Sequence, residues 1–130
     1  MCAIVSAPGI SLPPILIFPK KHFKEIFIVD TPDGTLGLAT KSGWMNTGLF
    51  TNVMEHIVKH THSSLADPII LIMDNHESHL SVETLEIAKN NGVNIITLPP
   101  HTSHKLQPLD RTVFGPLKIF FNDSSNSWMM

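Results

Sequence analysis

Six consecutive residues, Pro68-Ile-Ile-Leu-Ile-Met73, form an unbroken apolar run that ends at Asp74. A strand with one wet face would alternate. An unbroken run asks for cover on both faces, the habit of strands in parallel, helix-flanked sheets. The run is far short of the roughly 20 residues a membrane span requires. Downstream, Ser81 can cap a helix over residues 81–91, with Val82, Leu85 and Ala88 inward and Gly92 at the position after its end. Residues 93–98, VNIITL, then read as a second strand, stopped by Pro99-Pro100. Strand, helix and strand make a βαβ unit, so the chain belongs to the α/β class.

Upstream, residues 2–6 and 12–18 read as two strands of a hairpin turned at Pro8-Gly9, with residues 25–29 as a third strand. Residues 46–62 carry a helical pattern. Asn46 or Thr47 caps it, and Leu49, Phe50, Val53, Ile57 and Val58 share a face. A last helix is expected over residues 108–121, with Pro108 in its first turn and a bend at Gly115-Pro116. The tail, residues 122–130, reads as frayed chain. At 42% hydrophobic and 15% charged residues, a packed core is within reach and disorder is disfavoured. A length of 130 residues suits one domain. The single cysteine, Cys2, excludes an intrachain disulfide and suits a reducing compartment. The first residues lack the basic start and apolar stretch of a signal peptide.

The residues that carry chemistry stand at strand ends. Asp74 closes the first strand of the βαβ unit, and Asp110 follows the second at the start of a helix. Ligands of α/β sheets bind at that edge. A crossover brings consecutive strand ends to one edge, so the two carboxylates can approach. Mg²⁺ takes hard oxygen ligands and keeps several waters, so a few carboxylates and a substrate phosphate suffice. Two such ions about 3.5–4 Å apart can activate a nucleophile and steady the leaving oxygen of a phosphodiester. Taken singly, either aspartate reads equally as a turn residue or a helix cap. A net charge of −2 argues against a dedicated DNA-binding module but not against a nuclease core, whose metal site is itself acidic. No Gly-x-Ser-x-Gly elbow and no glycine-rich phosphate loop is present, which disfavours a serine hydrolase and an NTPase.

Around the aspartates lie Leu71-Ile-Met-Asp-Asn-His-Glu-Ser-His79, Leu98-Pro-Pro-His-Thr-Ser-His104, Leu106-Gln-Pro-Leu-Asp110 and Val113-Phe-Gly-Pro-Leu-Lys118. Upstream stand Leu12-Pro-Pro-Ile15 and Gly43-Trp44-Met45. Together these resemble the DDE superfamily endonuclease domain of pogo, Tigger and jerky transposable elements and their relatives, among them centromere protein B. The resemblance runs over roughly residues 3–120. It implies an RNase H-like fold, a mixed sheet flanked by helices, and metal-dependent cleavage and strand transfer on DNA. It aligns Asp74 with the second catalytic, metal-binding carboxylate and Asp110 with the third. The cofactor implied is Mg²⁺ or Mn²⁺ in a two-ion site. The partner implied is DNA, with no membrane, and the location implied is the nucleus.

The family's first catalytic aspartate lies on a central strand upstream of the hairpin, and none of Asp30, Asp33 or Asp67 matches it. The expectation is therefore a partial domain over residues 1–121, lacking that strand, with a weakened or absent metal site and no activity alone. The alternative is a catalytically silent nuclear module that binds DNA or protein. His76 and His79, and His101 and His104, form two His-x-x-His pairs beside the aspartates. Zinc can use such nitrogens, but shaping the loops or contacting DNA phosphate is the favoured role. Asn75 is read as a loop-shaping residue, Gln107 equally as a functional contact or as a residue that fixes the helix start near Asp110, Lys105 as a solvated lysine or a phosphate contact, and Trp44 as a packing or loop-anchoring residue.

Overall fold

The computed structural model describes residues 1–76, 81–99 and 106–128, apart from the side chains of Asp110 and Arg111. The architecture is mixed α/β: strands β1 (Ile15–Pro19), β2 (Leu36–Thr40), β3 (Ile69–Met73) and β4 (Val93–Thr97), with helices α1 (Thr47–Thr61), α2 (Val82–Asn90), α3 (Pro108–Thr112) and α4 (Phe114–Trp128). Short strands with flanking helices are consistent with an RNase H-like fold. The chain divides into two compact units, residues 1–71 with 76–95, and residues 72–75 with 96–130.

The first unit holds the core: Ile15, Leu38, Phe50, Val53, Met54, Ile57, Ala88 and Val93 are all buried. Its hairpin is present in pairing. Cys2 and Ile15 exchange both backbone hydrogen bonds, and Val5 bridges Ser11 in the antiparallel sense. The regular strand, β1, starts only at Ile15, because Pro13 and Pro14 have no N–H to give to a ladder. On its other side β1 pairs in parallel with β2, Ile15 opposite Leu36.

Residues 25–29 do not form the expected strand. Glu25–Ile28 make a 3-10 turn, closed by the Phe27 amide on the Lys24 carbonyl at 2.9 Å. Phe23 and Phe27 instead cluster with Phe18, their ring centroids 5.1–6.3 Å apart. Phe27 lies on that turn and Phe23 just before its cap at Lys24, and both rings reach Phe18. The Phe23 ring lies directly over Gly37, where any Cβ would collide with it. That explains the weak strand composition of β2.

Helix α1 follows expectation. The Asn46 side chain accepts from the Leu49 amide at 2.9 Å, the helix ends at His62 in the left-handed region, and Phe50, Val53 and Ile57 are buried. It packs against α2. Ser81 caps α2 by accepting from the Thr84 amide at 3.1 Å. Gly92 takes φ +67° after that helix and stands where a Cβ would strike the Ser64 carbonyl. Trp44 does not pack into the core. Its ring is exposed, while its backbone anchors the turn through Ser42 and Thr40.

Cover over β3 is less than the apolar run demands. Leu71 is half-buried, but Ile70 and Ile72 are 66% and 59% exposed. The strand alternates instead of being buried on both faces, and β4 is its one strand neighbour among the described residues.

In the second unit, the helical stretch breaks at Val113, between α3 and α4, slightly before Gly115-Pro116. Pro116 cannot donate to the carbonyl four residues back, and its ring crowds that carbonyl, so the break falls at Thr112–Val113. Residues 122–128, expected as frayed chain, continue α4.

Candidate functional site

The edge that bears Asp74 is set by the register of β3 and β4. The Ile69 amide bonds the Gly92 carbonyl and the Leu98 amide bonds the Met73 carbonyl, each at 2.9 Å. Start is thus tied to start and end to end, so the strands run parallel. The link between them, α2, is the expected crossover. Asp74 and Leu98-Pro99 consequently leave the sheet at the same edge. The Leu98 amide fixes the end of β3 one residue before Asp74.

At that edge the carboxylate-bearing residue is half-buried, and its two successors, Asn75 and His76, are exposed. Beyond the strands, Gln107 is half-buried and occupies the cap position of α3, without a side-chain capping bond. Pro108 follows as the first helical residue, which pre-sets the backbone and wastes no N–H. Asp110 falls in that first turn. Asp74 and Asp110 belong to the same compact unit, which gathers the ends of both strands with α3 and α4. The Asp110 side chain, and residues His79, His101, His104 and Lys105, lie outside what is described.

Among the described residues, no three His, Cys, Asp or Glu side chains gather as a metal-ligating group. The donor chemistry at the edge is a carboxylate with an amide beside it, hard oxygens of the type that suit Mg²⁺ or Mn²⁺ better than zinc. Also among the described residues, no helix is long and apolar enough to cross a membrane.

The family model described as DDE superfamily endonuclease matches residues 1–130. A curated protein of Cochliobolus lunatus named MFS-type transporter clz9 is 33% identical over 116 residues, covering 88% of this chain. The chain spans only 13% of that protein's length. No solved structure matches the chain.

Proposed function

Since the chain belongs to the DDE superfamily endonuclease family, we propose that it is part of a transposase-type catalytic core that binds DNA in the nucleus and does not cut it unaided. The observation that carries this reading is Asp74, set at the C-terminal edge of a parallel strand pair. The family is divalent-metal dependent, and here the ion proposed is Mg²⁺ or Mn²⁺, held by Asp74 and Asp110. Bound there, the metal would supply charge stabilisation to a phosphodiester oxygen. Asn75 and His76, exposed beside Asp74, are proposed to meet the phosphate backbone, with His79, His101, His104, Lys105 and Gln107 as further contacts or loop-shaping residues. The lack of activity alone rests on the motif comparison, which matches only two of the family's three carboxylates to positions in this sequence.

The purified chain, incubated with supercoiled plasmid and Mg²⁺ or Mn²⁺, should bind the DNA and leave it uncut. Nicking that disappears in Asp74→Ala would overturn the claim of inactivity while upholding the assignment of the site. Absence of DNA binding at low salt would sink the nucleic-acid reading.

A second reading is a catalytically silent nuclear module that binds protein or DNA. It draws on α4, where Ile119, Phe120, Phe121 and Trp128 are all more than half exposed. Binding that persists in EDTA and in Asp74→Ala would favour it.

A further inference from the structure

A third group of histidines stands on α1. His56 and His60 stand one turn apart, with ring centroids 4.4 Å apart and planes at 57°. His56 Nε2 is 2.9 Å from the Pro13 carbonyl, across 43 residues of chain. A carbonyl only accepts, so Nε2 carries the hydrogen and donates it, whether or not Nδ1 is protonated. This bond ties α1 to the segment that leads into β1. His60 has no such outlet. Its Nε2 is buried without a hydrogen-bond partner. The turn at Gly34 closes over the ring: a Cβ there would stand 3.2 Å from His60 Cε1 and 3.0 Å from Pro13 Cγ. Gly34 itself sits at φ +82°, so the close approach and the turn both require glycine.

We infer that His60 is a proton-operated latch, which holds α1 against the Pro13 and Gly34 segments while neutral and loosens that contact when protonated. A protonated ring places a second charged N–H against a wall with no acceptor for it. The ionisable groups acting on it are His56 and Lys59 on its own helix and His62 at the helix cap, none of them acidic. From the turn packed over it, the ionisable residue is Asp33, which is not among the groups acting on His60. Burial first, then these neighbours, hold its pKa below the ordinary 6.5. A depressed histidine pKa means that the unfolded state takes up the proton first. Stability is then complete above the ordinary value and declines as pH falls below 6.5 toward the folded-state value. The first contacts to loosen are those around Pro13 and Pro14, whose carbonyls receive His56 and the Leu36 amide.

The test uses the whole 130-residue chain and follows the His60 ring by NMR titration. In parallel, urea midpoints are measured at pH 7.5 and 5.5. The His60 signal should titrate below 6.5 and move upward in His56→Gln, whose amide keeps a donor for Pro13 while removing the neighbouring imidazole that lowers it. In His60→Phe the loss of midpoint between the two pH values should shrink by at least half. His60 titrating at or above 6.5, or an unchanged pH loss in His60→Phe, overturns the latch. If His60→Phe does not fold, the titrations of the native chain and His56→Gln decide alone.

Discussion

Strands β1 and β3 are equal in length and nearly equal in apolarity, ILIFP against IILIM. Their fates differ. Ile15 opens β1 fully buried, bonded to Cys2 on one side and set against Leu36 on the other. β3 has β4 alone among the described residues, and Ile70 and Ile72 stay largely open to solvent, as does Ile96 on β4. An unbroken apolar run therefore states what a strand requires. Whether the requirement is met depends on partners elsewhere in the chain. In β1 those partners come from both flanking segments. In β3, pairing satisfies one edge, while Ile70 and Ile72, on one face, remain largely exposed.

The contrast predicts a graded series of effects. Ile15→Ala removes a fully buried side chain from the covered strand and should lower the unfolding free energy by about 2–5 kcal/mol, read from urea midpoints. A loss below 1 kcal/mol would mean that the core around β1 is loose. Gly92→Ala should follow, at about 2–3 kcal/mol, since it combines left-handed backbone cost with a collision against the Ser64 carbonyl. The variant tests whether the start of the β3–β4 pair is held as firmly as β1; an unchanged melting temperature would show that it is not. Asn46→Ala removes the bond to the Leu49 amide. It should cost about 1 kcal/mol, while Asn46→Ser should restore most of it.

Local chemistry made much of this legible. Ser81, Gly92 and Asn46 each act through groups within a few residues, so the ends of α1 and α2 follow from the sequence. The strand-end position of Asp74 follows too, because the βαβ pattern is itself compact along the chain. What escaped depends on distant residues. Residues 36–40, LGLAT, carry little strand signal, since Gly37 is small for the sake of the Phe23 ring rather than for its own strand. Residues 25–29 look extended in isolation, but the 3-10 turn lets Phe27 join Phe23 against Phe18. His60 gained its meaning only from Gly34 and from a partner helix residue bonded to Pro13. For the site, the sequence placed Asp110 at a helix start, and the backbone puts it in the first turn of α3.

The smallest effect is predicted for β3, and it decides most about the comparison. Ile70→Thr keeps a β-branched side chain, so the strand's backbone preference survives. The residue is 66% exposed, so little packing is lost, and the change should stay within about 0.5 kcal/mol. A destabilisation matching that of Ile15→Ala would show that this face is covered in solution. Repeating the measurement over a hundredfold range of protein concentration then separates two sources of cover. Cover by a second copy makes the penalty grow with concentration, because association adds stability that the variant cannot recover. Cover from within the chain leaves the penalty constant.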